Sequence, residues 1–547
     1  MSPERPVREP SAPPSQRVAT DRAAGESRND IDKQIAWHYA QIALLKAKRN
    51  AIAPISSLPN ELMTRILTIF AVESSALFNL KWTKIIHVCR HWHALALAAH
   101  SLWSYIDLSC SADFNRPYEQ LRRSGVAPLS LKLPLYDEWR AGIFLPHSER
   151  IHKLELRGDA KHVIEVMAKL PTHNFPILTY LSLDLSYKRE DFPVDLVPTV
   201  PDALFDGRLS SLRKLKLGSV AFPSRSLGGL TTLSLSQCDD SSTCLPQTFG
   251  DLLEMLKSSP RLCSLKLDPI APPTAHQDFP IVDLPELDRL CLYGDAPACA
   301  ALLNHLHFPP RTKIQIFPYG VRSGMDVRNI LVPLRKHVRN PGAEKPLLIH
   351  IDRGPSHCTI AICHGTAPHN SFDCRSASAL SLNSHPSTKS ALRQISTKFL
   401  KAIPESVTHF DACSAFDLRE PSWKTMIPLP PALETLFLQV HKGATVFLER
   451  ETGRLTFPHI RRLYIRGLRS AEEDIATTVL AVLGTYVKAR FANGAPLEML
   501  EIGDPYYRFP GQVGEERLDR MIPLMKGDIL RSGVVYDPVA LKQQQEK

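Results

Sequence analysis

A short apolar pattern returns along most of the chain: one apolar residue, two others, then two apolar residues separated by a single position. The copies begin at Ile151, Leu178, Leu212, Leu230, Leu262, Leu287, Leu433, Ile460 and Leu497. Alternate side chains of a strand point to opposite faces, so the last two apolar residues of each copy share one face. The pattern therefore predicts short strands that bury this face by stacking on one another.

Apolar residues at helical spacing follow some of these strands, most clearly over 471–491. The alternation resembles leucine-rich repeats, although the asparagine ladder of that family is absent and only Cys238 occupies its position cleanly. The resemblance implies an α/β fold in which an irregular leucine-rich-repeat solenoid follows a helical N-terminal domain. An ordinary leucine-rich α/β domain is the alternative.

The repeats fall into two groups, over 121–340 and 391–510, and we expect a C-terminal tail over 511–547. An irregular insertion is expected between the groups, over 341–390. Within it the pattern predicts strands at Leu347–Ile351 and Thr359–Cys363, followed by a flexible serine-rich stretch from Ser371 to Ser390.

The N-terminal region has a different pattern. Residues 1–29 are rich in Pro, Ser, Arg and Glu, which predicts a disordered tail. From 30 to 53 a helix is predicted, with an apolar stripe that His38 and Arg49 interrupt; its members are Ile31, Ile35, Ile42, Leu45 and Ile52. We expect the stripe to pack on the protein itself, and weak self-association through 30–53 is the alternative.

A compact helical block is predicted over 54–104. It opens on Leu58-Pro59-Asn-Glu61-Leu62, where proline suits the first turn of a helix and Glu61 suits its dipole. A second helix carries Val88-Cys89-Arg90-His91-Trp92, and the block ends on Leu102-Trp103.

These three elements, in this order, resemble an F-box domain, and most of the chain resembles fungal F-box proteins. The resemblance implies a three-helix domain that binds a Skp-family adaptor and, through it, a cullin. By the resemblance the adaptor-binding residues are Leu58, Pro59, Leu62, Ile66, Val88, Cys89, Trp92, Leu102 and Trp103.

The function implied is that of the substrate-receptor subunit of an SCF-type (Skp–cullin–F-box) E3 ubiquitin ligase in ubiquitin-dependent protein degradation. Such a subunit is not an enzyme, since it acts by bringing a protein substrate close to another protein's chemistry. The sequence contains no phosphate-binding glycine loop, metalloprotease motif or nucleophile elbow. The alternative is a leucine-rich interaction scaffold that acts outside a ubiquitin ligase, and an enzyme within 300–400 is a weaker third.

In a leucine-rich stack the residues that alternate with the buried leucines face outward. The candidate substrate-binding residues at such positions are Arg157, Tyr180, Lys214, Lys216, Lys266, Arg289, Tyr293, Phe437, Arg462, Tyr464 and Arg466. Arg and Tyr are favoured at interfaces, and cations pair with carboxylate and phosphate. This face therefore predicts binding of an acidic protein segment, with or without phosphate; a merely solvated strand face is the alternative.

Charge, hydropathy and cysteine content bear on whether the chain binds nucleic acid, spans a membrane or is secreted. The 547 residues carry a net charge of +10 and no dense basic run, so nucleic-acid binding is not expected. No apolar stretch is long enough for a secretory signal or a membrane helix. The eleven cysteines show no regular pairing distances, which indicates reduced thiols in the cytoplasm or nucleus.

A cluster of Cys358, Cys363, His364, His369 and Cys374 has the residue types of a zinc site. Its spacings lack a paired Cys-x-x-Cys knuckle, and Cys358 and Cys363 border an apolar strand-like run. We therefore expect strand and loop thiols, with no metal and no cofactor.

Overall fold

The computed structural model describes residues 14–109, 115–135, 139–185, 200–201, 209–220, 228–236, 248–270, 279–319, 324–338, 348–353, 358–363, 380–384, 407–415, 432–439, 448, 452, 458–466, 473–503, 523 and 529–531. The chain divides into two compact units, Met1–Leu133 and Pro134–Lys547.

The first unit is mainly helical. Its helices are α1 (Pro14–Ala51), α2 (Asn60–Glu73), α3 (Arg90–Ala98), α4 (His100–Trp103) and α5 (Asn115–Arg123), with 3-10 helices at Pro54–Ser57 and Lys81–His87. A short strand, β1 (Tyr105–Asp107), pairs in parallel with β2 (Leu129–Leu135), which runs to the boundary of the unit.

The core of this unit lies around two tryptophans. Leu67 and Ala71 of α2 pack there with Trp82 and with Leu102 and Trp103 of α4. The rings of Trp82 and Trp103 meet edge to face, with centroids 4.9 Å apart. Trp82 lies in the 3-10 helix Lys81–His87, where the sequence has no apolar periodicity that would predict its burial.

Helix α1 differs from the expectation both in where it begins and in the exposure of its apolar stripe. It begins at Pro14, inside the segment expected to be a disordered tail, because Ala, Arg, Gln and Glu there favour helix without any need for burial. Its apolar stripe does not pack on the protein: the five stripe residues are all exposed.

In the second unit the first group of repeats forms consecutive parallel strands: β3 (Ile151–Gly158), β4 (Tyr180–Leu185), β5 (Lys214–Gly218), β6 (Thr232–Ser236), β7 (Ser264–Asp268), β9 (Arg289–Asp295) and β11 (Lys313–Tyr319). Two short strands, β8 (Val282–Asp283) and β10 (Leu306–His307), pair separately. The predicted leucines align: Leu154 lies beside Leu181, and the same register continues to Leu290 and Ile314.

The second group of repeats also forms parallel strands: β15 (His409–Ala415), β16 (Thr435–Gln439), β17 (Arg462–Arg466), β18 (Met499–Gly503) and β19 (Ile529–Arg531). Between the groups, β12 (Leu348–Arg353), β13 (Cys358–Cys363) and β14 (Leu380–Ser384) link β11 to β15. Strand β13 is antiparallel to both of its neighbours.

Strands β12 and β13 confirm the two strands predicted within 341–390. Strand β14 lies inside the serine-rich stretch for which we expected flexibility. Its Leu380 and Leu382 align with Ile314 and Ile316 of β11, so two apolar residues hold Leu380–Ser384 in the sheet.

The helices of the second unit are α6 (Trp139–Phe144), α7 (Ala160–Lys169), α8 (Phe249–Lys257), α9 (Ala296–His305), α10 (Gly324–Val338) and α11 (Glu473–Ala492), with 3-10 helices at Leu145–Arg150 and Leu170–Thr172. Each of α7, α8, α9 and α11 buries apolar residues at helical spacing. The chain is thus a mixed α/β protein with a helical N-terminus and a mostly parallel sheet, and the strands described form an open sheet.

Candidate functional site

Helix α2 has two apolar faces with different surroundings. Met63, Leu67 and Ala71 are buried against the core of the first unit. The other face, which we call the α2 surface, consists of Leu62, Ile66, Ile69 and Phe70, and each of these side chains is 42–48% exposed. One face is enough to anchor the helix, so the second is available to a partner.

The start of α2 adds to this surface. Pro59 occupies the position before the helix and is exposed, while Leu58 is half-buried. Glu61 lies in the first turn, where its carboxylate interacts favourably with the helix dipole. The sequence thus fixes where α2 begins, and its exposed face follows at once with Leu62.

The turn into α3 contributes further candidates. Val88 is 56% exposed. Cys89 precedes α3, and its sulfur accepts a hydrogen bond from the backbone N–H of Trp92 at 3.5 Å. Trp92 itself is half-buried and packs against the core cluster, so it mainly supports the turn rather than extending the exposed surface.

Leu102 and Trp103 were expected to contact an adaptor, and the structure places them in the core instead. Leu102 is fully buried, and the indole N–H of Trp103 donates to the carbonyl of Ala96 at 2.9 Å. The Arg123 guanidinium lies 4.5 Å from the Trp103 ring centroid. These contacts occupy both residues within their own domain.

The cation over Trp103 belongs to a small charged cluster on α5. Glu119 accepts hydrogen bonds from Arg122 and Arg123, each at 2.6 Å in its closest contact. Arg122 first, and then Arg123, lower the pKa of Glu119 to about 2. The carboxylate therefore stays ionised at neutral pH and orients Arg123 toward the core tryptophan.

A cleft of about 600 Å³ lies between the end of α1 and the turn before α3. Small residues of α1, Ala43 and Ala47, line one side, and Cys89, Arg90 and His91 line the other. Lys46 also borders it, so the cleft and its surroundings carry positive charge.

The nine expected adaptor-binding residues differ in their solvent exposure. The structure leaves Pro59, Leu62, Ile66 and Val88 exposed, leaves Leu58, Cys89 and Trp92 half-buried, and buries Leu102 and Trp103. Ile69 and Phe70 belong to the same exposed face of α2 but were not among the expected contacts. Their spacing from Leu62 and Ile66 is visible in the sequence and could have identified them.

A second candidate surface lies on the strands of the second unit. We call it the lysine face; it consists of Lys214, Lys216, Lys266 and Arg289, on β5, β7 and β9. Lys216 aligns with Ser234 of β6, which aligns in turn with Lys266. Neighbouring strands lie about 4.8 Å apart, so these two lysines flank a serine.

Hydroxyl groups line the middle of the lysine face. Thr232, Ser234 and Ser236 of β6 are half-buried, as is Ser264 of β7. Lys214 and Lys216 are exposed and have no ion-pair partner among the residues described. Cationic ammonium groups beside hydroxyl donors are suited to bind carboxylate or phosphate oxygens.

Other candidate substrate-binding residues of the first repeats are already engaged. Arg157 pairs with Asp184 at 3.8 Å, and the Lys153 ammonium lies 4.5 Å from the ring centroid of Tyr180. Burial, followed by the nearby Glu155 charge, raises the pKa of Tyr180. Tyr293 stacks on Phe317 with centroids 4.1 Å apart and also faces Lys266.

The late repeats differ from the expectation. Phe437 and Tyr464 are buried and stack on each other, with ring centroids 4.4 Å apart, so they are packed rather than exposed on a binding face. Arg462 is exposed, whereas the side chain of Arg466 lies outside the described residues. Large rings on adjacent strands cover each other, which removes both from solvent.

The cysteine–histidine cluster falls largely outside the described part of the chain. Cys358 and Cys363 are the end residues of β13, and His364, His369 and Cys374 lie beyond it. Among the residues described, no group of three or more His, Cys, Asp or Glu side chains could hold a metal ion.

Comparison with known proteins adds no identification, since neither the protein-family models nor the curated proteins give a match to this chain. Within the described segments, none of the helices has both the length and the apolar character required to cross a bilayer.

Proposed function

We propose that this chain is the substrate-receptor subunit of an SCF-type E3 ubiquitin ligase, and that its first unit is an F-box domain. The observation that carries the proposal is the α2 surface. A small helical unit packs one side of α2 around Trp82 and leaves four large apolar side chains of α2 exposed. The segment Leu58-Pro59-Asn60-Glu61-Leu62, which resembles the opening of an F-box, lies where this surface begins.

The partner that we propose for the α2 surface is a Skp-family adaptor. An exposed helix face with anchors at positions 62, 66, 69 and 70 fits an apolar groove of another protein. Exposed Arg65, Lys84 and Arg90 lie close in sequence to the apolar candidates and favour an adaptor with acidic residues at the rim.

The second unit would recruit the substrate. We propose that its aligned parallel strands are an irregular leucine-rich solenoid and that the lysine face binds an acidic segment of a protein substrate. The chain then performs no bond-breaking step. It raises the local concentration of substrate near a ubiquitin-loaded enzyme that the adaptor and a cullin bring.

The adaptor assignment can be tested by capture of a purified Skp-family adaptor on the immobilised full-length chain. Changing Leu62→Asp together with Ile66→Asp places two charges on the α2 surface, and we expect binding to weaken at least tenfold. Both positions are solvent-exposed, so the first unit should keep its fold. Circular dichroism of the variant would check this.

The matched control is Val126→Asp together with Ile281→Asp, which places two charges at exposed apolar residues outside α2. It should bind the adaptor as the unmodified chain does. If the unmodified chain captures neither adaptor nor cullin, the ligase proposal fails, and a leucine-rich scaffold outside a ubiquitin ligase becomes the better account. Equal loss in both variants would also count against the α2 surface.

A further inference from the structure

The apolar stripe of α1 has the spacing of a coiled-coil seam. Ile31, Ile35, Ile42 and Leu45 follow one another at intervals of three, four or seven residues, as the a and d positions of heptads do. Their side chains are 46–64% exposed, so the described residues of the first unit leave them largely uncovered. An exposed seam of this length indicates a partner helix.

The cleft between α1 and the turn before α3 lies on another side of the helix. The residues of α1 that line the cleft beside Cys89 include Ala43, Ala47 and Asn50. At 100° per residue, this row lies more than a quarter turn away from the row of Ile35, Ile42 and Leu45. The cleft and the seam therefore lie on different sides of α1, and the seam faces away from the cleft.

The charges on α1 are unevenly distributed. Asp30 and Asp32 lie near the beginning of the seam, and Lys46, Lys48 and Arg49 lie near its end. Asp30 already pairs with Lys33 at 3.2 Å, whereas Asp32 and Lys46 have no ion-pair partner among the residues described. Two such helices attract each other when they run in opposite directions.

We propose that a second copy of this chain covers the seam, in an antiparallel pair of α1 helices that cross at the level of Ala40. Residues whose numbers add to 80 then face each other, so Ile35 meets Leu45 of the partner subunit and Ile31 meets the partner's Arg49. Asp32 lies beside the partner's Lys46 on the flank of the seam. A parallel pair would instead place Arg49 against the partner's Arg49.

This pairing is expected to be reversible. His38 and Arg49 occupy seam positions, and polar residues there lower the stability of a coiled coil while they select its register. Within α1 the seam spans residues 31 to 49, or about 27 Å of helix. We therefore expect a dimer whose population rises with concentration in the micromolar range.

The existence of the dimer can be tested by light scattering of the full-length chain at increasing concentration. The mass should rise from 61.2 kDa toward twice that value. Ile35→Asp combined with Ile42→Asp should keep the chain monomeric, and Ala40→Asp, at an exposed position on the opposite side of α1, should not. A monomeric unmodified chain throughout, or a dimer unaffected by the double variant, would overturn the proposal.

The direction of the helices needs a separate test by charge reversal. Asp32→Lys should weaken dimerisation roughly threefold to tenfold, because two lysines then face each other at each end. Adding Lys46→Asp to the same chain should restore it, since each reversed pair is again of opposite sign. Failure of this rescue would exclude the antiparallel register. The monomeric variant should still capture the adaptor, so the outcome is independent of the proposed ligase function.

Discussion

Two buried tryptophans lie at the centre of the first unit, and their indole N–H groups differ in hydrogen bonding. The indole N–H of Trp103 donates to Ala96, whereas that of Trp82 is buried without a hydrogen-bond partner in the described structure. A buried donor without a partner keeps its desolvation cost. Replacing each ring by phenylalanine should therefore have unequal consequences.

We predict that Trp103→Phe destabilises the first unit more than Trp82→Phe does, by about 1–2 kcal/mol, because only the former leaves a buried carbonyl without its donor. The measurement is the free energy of opening of α3 from hydrogen exchange of the full-length chain. Trp82→Phe serves as the matched control for loss of ring volume. Equal losses would show that packing alone sets the stability here.

The same residues mark the limit of sequence reasoning about the site. The alternation of buried and exposed faces on α2 follows from helical periodicity, so Leu62 and Ile66 could be predicted to contact a partner. Leu102 and Trp103 could not be assigned in this way, because they belong to a helix of one turn whose direction depends on tertiary packing. Their burial follows from Trp82, which carries no periodic signal in the sequence.

At the scale of elements, strand prediction succeeds where the first position of the repeat and both paired positions are leucine or isoleucine. Strand β15 also carries the pattern, as Val407, Phe410 and Ala412, but alanine conceals it. Strand β11 lacks an apolar first position, because Arg311 stands there. Both strands nevertheless align with neighbours whose leucines were recognised, so register with a neighbour can replace a missing residue in the repeat.

A glycine allows the end of β3 to approach the end of β2 closely. Gly158 ends β3, and a Cβ atom at this position would overlap the carbonyl group of Leu135. We predict that Gly158→Ala costs about 1–3 kcal/mol, since backbone cannot move aside as a flexible side chain can. The fall in the thermal unfolding midpoint of the full-length chain, together with faster hydrogen exchange in β3, would measure this cost.

Gly142→Ala is the control for that change, because a Cβ at Gly142 meets nothing within 4 Å. Gly142 lies in α6, where alanine is favoured over glycine by about 0.5–1 kcal/mol. This variant should therefore match or exceed the stability of the unmodified chain. If both variants lost stability to a similar extent, the cost of Gly158→Ala would come from backbone conformation and not from the overlap with Leu135.

At the scale of the whole molecule, each of the two compact units carries one of the two proposed binding surfaces. The α2 surface lies in the unit that ends at Leu133, and the lysine face lies in the unit that begins at Pro134. The strands between the two repeat groups join these groups into one continuous sheet. The sequence could not establish this continuity, because Leu380 and Leu382 stand alone within a serine-rich stretch.

If the two surfaces act separately, loss of one should spare the other. We predict that Lys214→Ser with Lys216→Ser weakens binding of a fluorescent acidic peptide that carries phosphoserine by roughly tenfold, or about 1.4 kcal/mol, since two exposed charge pairs are lost. Anisotropy measured with the full-length chain would show this, and added salt should reduce the difference. Capture of the adaptor should be unchanged.

The matched control removes the same number of charges from helices of the second unit, as Lys161→Ser with Lys257→Ser, both at exposed positions. Its peptide affinity should equal that of the unmodified chain, because neither lysine lies on a strand of the lysine face. If both double variants lose affinity equally, the net positive charge attracts the peptide and the lysine face is not a site. If the peptide without phosphate binds equally well, carboxylates alone define the segment that this surface recognises.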